Sequence, residues 1–233
     1  MTNNIPRPLP ALAILALSFS LAACTPVQQL LFAALPDGTT SMLLGHMEKV
    51  DETNRLRIAD LESRRDWAGL AKFAEENLAK ERSNPDWWLV SGYAYTQLGN
   101  HPKAIASFSE GVRLAPDDMM NWNMLAAAYR AAGQNDRAIR TLESALQVRS
   151  DSVATYALLA ESYVDAGRDT AAIGAYRDAL RLNKELDTAW FGLGRASVRL
   201  GRVADAREAA TALRPLNAKL AAELTSMLPV SSR

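Results

Sequence analysis

The sequence predicts an all-α fold: helix hairpins stacked side by side into a solenoid and closed by a C-terminal helix. Three observations predict it. The chain resembles itself at a period of 34 residues, in four copies without insertion or deletion. Each copy carries a glycine at one fixed place, Gly99, Gly133, Gly167 and Gly201, and glycine is the residue that ends a helix with positive φ. Small and large apolar residues occupy fixed columns on either side of that glycine, as two closely packed helices require.

Of the 233 residues, 48% are hydrophobic and 22% charged, a balance typical of folded domains. The 26 basic and 26 acidic side chains cancel. A nucleic-acid binder needs a basic excess to neutralise phosphates, so no nucleic-acid partner is expected. The single cysteine, Cys24, cannot form an internal disulfide.

The elements follow in chain order. Residues 1–10 are short, with one basic side chain, Arg7; residues 11–23, ALAILALSFSLAA, are apolar. That is the grammar of a secretory signal. As a helix the thirteen residues rise only about 20 Å, short of the hydrocarbon core of a membrane. The run ends in Leu21-Ala22-Ala23-Cys24, which resembles the lipobox of bacterial lipoproteins. The resemblance implies a signal peptide over 1–23, cleavage before Cys24 and a diacylglycerol thioether on its sulfur. It also implies a further acyl chain, such as palmitate, on the new amine. Two or more chains are what stable anchoring takes. Thr25 follows the cysteine, where an aspartate marks inner-membrane retention in enteric bacteria. The expected location is therefore the outer membrane, facing the periplasm.

Residues 24–50 form the lipid-anchored tether. LLFAAL at 30–35 is apolar, Pro36-Asp37-Gly38 reads as a turn, and Thr39, Thr40 or Ser41 can cap a helix after it. This segment either lies on the membrane or a partner, or packs onto the first hairpin; the second is preferred. Residues 51–84 fit the repeat phase poorly and read as a divergent N-terminal hairpin, with Trp67 opening its second helix.

The four regular copies span 85–118, 119–152, 153–186 and 187–218. Their columns are Trp88, Trp122, Tyr156, Trp190; then Gly92, Ala126, Ala160, Gly194; then Tyr95, Tyr129, Tyr163, Ser197; after the glycine, Ala104, Ala138, Ala172, Ala206; and last Phe108, Leu142, Tyr176, Ala210. The pattern resembles the tetratricopeptide repeat, whose signature has Trp, Leu, Gly, Tyr, Ala, Phe and Pro at fixed offsets. Ser91 and Gly111 depart from it, standing for a leucine and an alanine. Trp67, Trp88, Trp122 and Trp190 are expected in the core or at its edge, with Trp87 exposed beside them. Pro215 is expected to break the chain before a capping helix at 216–229, whose leucines 216, 220, 224 and 228 share one face.

The resemblance implies a right-handed superhelix whose first helices line a concave groove. Transferred position by position, it places there Asp86, Leu89, Tyr93 and Gln97, then Asn123 and Arg130, then Glu161 and Asp165, then Phe191, Arg195 and Arg199. The lysine and asparagine with which some family members clamp a peptide carboxylate are missing, since Leu89 and Tyr93 stand there. The groove reads as apolar at its start and basic at its end, with six basic and three acidic side chains between Asp187 and Leu220. That suits an extended segment with an acidic end.

No catalytic constellation is present. His46 and His101 are the only histidines, and no phosphate loop, zinc-peptidase or nucleophile-elbow motif occurs. The expectation is a non-enzymatic, lipid-anchored scaffold for a protein or peptide, with no metal and no cofactor. A pilotin-like factor for a secretin or type IV pilus, and a self-associating tether that forms homo-oligomers, are the alternatives.

Overall fold

The computed structural model describes residue 47 and residues 49–229; the signal peptide, Cys24 and most of the tether lie outside them. The described residues form eleven α-helices and no strand. Five hairpins follow one another: α1 (Glu52–Ser63) with α2 (Trp67–Leu78), α3 (Pro85–Gln97) with α4 (His101–Leu114), α5 (Met119–Ala131) with α6 (Asn135–Val148), α7 (Val153–Asp165) with α8 (Asp169–Leu182), and α9 (Asp187–Arg199) with α10 (Val203–Leu216); α11 (Ala218–Ser226) closes the array.

Capping chemistry explains where many of these helices begin. Asp51, Asp66, Asn84, Asn100, Asp118, Ser152 and Asn217 each accept a backbone N–H of the first turn through the side chain, satisfying donors that have no partner inside the helix. The first helices end in left-handed residues. Gly99, Gly133, Gly167 and Gly201 have φ of 69° to 71°, and the next N–H reaches back to the helix, as from Asn100 to the Tyr95 carbonyl at 2.9 Å.

Residues 51–84 are more regular than their sequence. Arg65 stands 34 residues before Gly99 and has φ of 55°, with the same closing bond, from the Asp66 N–H to the Leu61 carbonyl at 2.9 Å. Ile58, Leu61, Leu70 and Ala74 occupy the columns of Gly92, Tyr95, Ala104 and Phe108, and all four are buried. Large and small residues have traded places: Ile58 and Ala74 stand where Gly92 and Phe108 stand one hairpin later. Summed volume is conserved while the column pattern is lost, and cores tolerate that. The hairpin is therefore in phase, contrary to the expectation from sequence.

The small columns are the points of closest approach. Ala104, Ala138, Ala172 and Ala206 are wholly buried. A Cβ on Gly92 would lie 2.5 Å from the Phe108 ring. Both departures from the family pattern are explained by a neighbour. Ser91 pairs with Ser107 through a buried hydroxyl contact of 3.0 Å. Gly111 leaves room for Asn121, whose side-chain oxygen would stand 2.3 Å from a Cβ there.

The tryptophan column is only half-buried, and it ties hairpins together through its indoles. Those of Trp88, Trp122 and Trp190 donate to the carbonyls of Arg82, Pro116 and Lys184 at 2.9, 2.8 and 2.8 Å. Each bond spans the linker between hairpins. Trp87 corrects the sequence expectation: it is 2% exposed and meets Phe73 edge-on at 5.7 Å. The Tyr column bridges backward, Tyr95 to Glu75 and Tyr163 to Glu143. Two buried clusters result, one from Met47 to Ala128 and one from Ala126 to Leu224, with Tyr129 packed against both.

The cap starts later than the leucine spacing suggests. Pro215 lies inside the last turn of α10, and the chain turns at Asn217 (φ −152°, ψ 91°). Leu216 is left exposed; Ala221 and Leu224 of α11 are the buried contacts. A Cβ on Gly194 would lie 2.2 Å from Leu224, so the cap sits directly on α9.

Candidate partner-binding groove

Consecutive first helices from α3 to α9 touch one another, and α9 touches α11, whereas no two second helices approach to the same extent. A stack whose first helices lie closer together than its second helices bends toward the first helices. At about 100° per residue, Asp86, Leu89, Tyr93 and Gln97 fall within an arc of about 80° on α3, opposite the face of Trp88, Gly92 and Tyr95 that meets the neighbouring helices. That arc, repeated on each first helix, is the stripe lining the concave side.

The stripe is more closed at its start than its sequence suggests. Leu89 is 1% and Tyr93 8% exposed, and Tyr93 meets Trp67 edge-on at 5.7 Å. Asn123 is buried, accepting from the Thr155 hydroxyl at 2.9 Å. Gln97 and Phe191 are half-buried, and Arg195 and Arg199 are exposed.

Two of the three arginines predicted for the groove, Arg130 and Arg199, are neutralised from within. The Arg130 side chain is 2% exposed and pairs with Asp165 at 2.7 Å, with Glu161 at 3.9 Å; a second donor, Nε, reaches Asp165 at 2.9 Å. This ties α5 to α7. Glu161 also accepts from the Tyr176 hydroxyl, and burial, reinforced by that carboxylate, holds Tyr176 well above the usual phenol range. Arg199 forks onto Asp169 at 2.5 and 2.9 Å, which lowers the Asp169 pKa and raises that of Arg199. Among the described residues, Arg195 makes no ion pair; its guanidinium lies 5.7 Å from the Phe191 ring.

Two groups in the groove escaped the sequence reading. Glu62 lies two repeats before Arg130, on the same stripe, and is 6% exposed. Burial pushes its carboxyl up; the Tyr93 hydroxyl tempers that without hydrogen-bond geometry to either oxygen. Asp169 sits in the first turn of a second helix, which the transferred positions do not include. The 68-residue step from Arg130 back to Glu62 was a usable signal; the pairing of Asp169 with Arg199 had none.

Outside the groove, two clefts of about 400 Å³ lie 102 residues apart on the array, one beside Trp88, Glu75 and Lys103, the other beside Trp190, Arg177 and Asp205. Their positions correspond and their charges are reversed, which marks them as the ordinary gap between hairpins. Among the described residues no three His, Cys, Asp or Glu side chains converge on a metal-sized site, and no helix is long and apolar enough to cross a membrane.

The chain resembles proteins of known structure along most of its length. PilW, described as a widely conserved type IV pilus biogenesis factor, superposes with a TM-score of 0.62 at 16% identity, over 76% of this chain and 84% of that one. MamA from Desulfovibrio magneticus RS-1 gives 0.59 at 21%, over 81% and 97%. YrrB, described as a TPR protein with an unusual peptide-binding site, gives 0.60 at 12%, over 81% and 98%. A TPR repeat-containing protein of Methanocaldococcus jannaschii is 29% identical over 82 residues, 33% of this chain and 14% of that protein. The sequence model of the tetratricopeptide repeat matches residues 68–118, 123–187 and 158–221, well over half of the chain, which therefore belongs to the tetratricopeptide repeat family.

Proposed function

We propose that the protein is a lipid-anchored, non-enzymatic adaptor of the bacterial cell envelope, holding an extended segment of a protein partner in its concave groove. The anchor is acylated Cys24, and the location is the outer membrane, facing the periplasm. The observation that carries the partner reading is Arg195 on Phe191. It is an exposed cation on an aromatic face, whereas the other two predicted groove arginines, Arg130 and Arg199, are occupied by Asp165 and Asp169. An acidic residue with an apolar neighbour fits that pair, since a cation already stacked on a ring keeps its outward N–H groups for a carboxylate. Family members generally bind protein or peptide partners, and the description of YrrB as peptide-binding agrees with this reading.

The test is capture from cross-linked envelope, with the acylated full-length protein as one bait and Arg195→Glu with Phe191→Ala as the other. Arg195 is exposed and Phe191 is half-buried at the edge of the core, so equal helix content of the two baits by circular dichroism is part of the test. A partner held by the first and lost from the second supports the groove reading. The description of PilW favours one second reading, a pilus or secretin factor; a pilus or secretin subunit as the captured partner would select it. Baits that retain only further copies of the chain would favour the self-associating tether.

A further inference from the structure

We propose that the open half of the groove, from α5 to α9, selects an extended segment that alternates apolar and polar residues and carries one isolated acidic residue on its polar side. This rests on the partner reading above and specifies the chemistry of that partner. The stripe is divided lengthwise. On α7 and α9 an uncharged residue of the first turn, Ala154 or Thr188, is followed seven residues later by a charged one, Glu161 or Arg195. Seven residues rise about 10 Å along a helix. On α5 the order is Met120 and then Arg130. No stripe residue in the first halves of these helices is charged. The first halves together make an uncharged lane, and the second halves a charged one. Met120, Ala154, Thr188 and Phe191 are each half-buried, so the uncharged lane keeps surface to offer, unlike the start of the groove, where Leu89 and Tyr93 are already covered.

The charged lane changes sign along its length. Glu161 and Asp165 share Arg130, at 3.9 and 2.7 Å, which leaves that group with one negative charge in excess. Arg199 and Asp169 cancel each other. Arg195 is the cation left over, exposed, with its guanidinium 5.7 Å from the Phe191 ring. A carboxylate is therefore drawn to α9 and repelled from α7, one helix or about 10 Å away.

An extended chain sends successive side chains to opposite sides. Laid across the first helices between the two lanes, it puts one side over each. Apolar residues on the first side cover Met120 and Phe191. On the second side an acid accepts from the outward N–H groups of Arg195, a charge-assisted hydrogen bond. Further acids two to four places away, at about 3.3 Å per residue, come over Glu161. The groove thus favours a single acid over an acidic run.

The test is fluorescence anisotropy with the full-length chain in detergent and synthetic peptide probes capped at both ends. The reference probe alternates serine and leucine around one central aspartate. It has about six residues on either side, which at about 3.3 Å each reach from Arg195 back to α5 in either chain direction. A second probe exchanges the aspartate with a neighbouring leucine, so it can seat its acid or its leucines but not both. It should bind about tenfold more weakly or worse, since a hydrogen bond to a charged group is at stake. A third probe, with aspartate at every serine, should bind no more tightly than the first. Arg195→Glu should weaken the reference probe about tenfold or more and prefer a probe with lysine at the centre, with helix content unchanged by circular dichroism. Equal binding of the first two probes, tighter binding of the third, or no binding of any would overturn the proposal. Phase-dependent binding with no partner captured from envelope would keep the groove chemistry and remove the adaptor reading; a captured partner with probes that bind regardless of phase would do the reverse.

Discussion

Replacing Gly92 with alanine tests the packing argument most sharply. The new Cβ would lie 2.5, 2.6 and 2.8 Å from three carbons of the Phe108 ring. Carbon atoms pack at about 3.5–4.0 Å, so the ring must move by about 1 Å. Phe108 is 1% exposed, and the interior around it is close-packed. Overpacking of this kind costs about 1–3 kcal/mol; the large displacement places this case near the upper end. Against it stands the helix-propensity gain of glycine to alanine, about 1 kcal/mol. The loss wins, leaving about 1–2 kcal/mol of net destabilisation. For a chain of this size that lowers the melting temperature by roughly 5 °C. Gly174 is the internal control. It lies within α8 with nothing within 4 Å of a Cβ, so Gly174→Ala collects only the propensity gain and raises the melting temperature by about 2 °C. Melting followed by far-ultraviolet circular dichroism reads both. Repeat arrays need not unfold in one step, so amide exchange in α3 and α4 locates the loss. Phe108→Leu in the Gly92→Ala background should restore part of it, a coupling expected of residues in contact. If Gly92→Ala melts at or above the parent while Gly174→Ala behaves as stated, the hairpin is not closed on Phe108 and the reasoning fails.

Arg65 holds a left-handed conformation that costs a non-glycine residue about 1–2 kcal/mol, so Arg65→Gly should raise the denaturation midpoint; an unchanged midpoint would mean the first hairpin lacks the common turn. The Glu62 carboxyl lies above its ordinary 4.5 through burial. Its contribution is full below the unfolded value and lost as pH rises through the folded one. Glu62→Gln should therefore stabilise the protein at neutral pH, with the gain shrinking toward pH 4.5; a pH-independent gain would refute the burial argument. Burial, with Glu143 accepting a hydrogen bond from the hydroxyl, pushes Tyr163 up to about 12 from 10.0. That contribution is present below pH 10 and lost as pH rises through the folded value, and Tyr163→Phe should remove the matching late rise in tyrosinate absorbance; a missing rise near pH 10 instead would show an ordinary phenol. Cys24→Ala should leave an uncleaved or unanchored precursor, and membrane fractionation that survives a high-salt wash in this variant would dismiss the lipid anchor.

Regular residues made the fold legible. A left-handed turn favours glycine whatever surrounds it, and a close helix crossing favours a small side chain, so Gly99 and Ala104 have counterparts in all four regular copies. The first hairpin escaped because packing constrains the sum of volumes: Ile58 with Ala74 fills the space of Gly92 with Phe108 and matches no column. Burial of the groove was harder to read. Tyr93 and Arg130 stand at transferred groove positions, yet one packs on Trp67 and the other is held by Asp165 on the next hairpin. Neither partner is near in sequence, so neither contact leaves a periodic trace.

By itself the sequence determined the helical class, the 34-residue period, the turn glycines and the small columns, because these follow from the conformational limits of single residues and from local spacing. Tertiary structure alone decided which arginines are spent inside the protein and that Trp87 is buried. It also decided that Ser91 and Gly111 answer to Ser107 and Asn121, and that Met47 is buried in one cluster with Leu89 and Tyr93. The physical reason is common to all four. Burial and ion pairing depend on which side chains from separate hairpins arrive at one place, and the stacking of the hairpins settles that arrival.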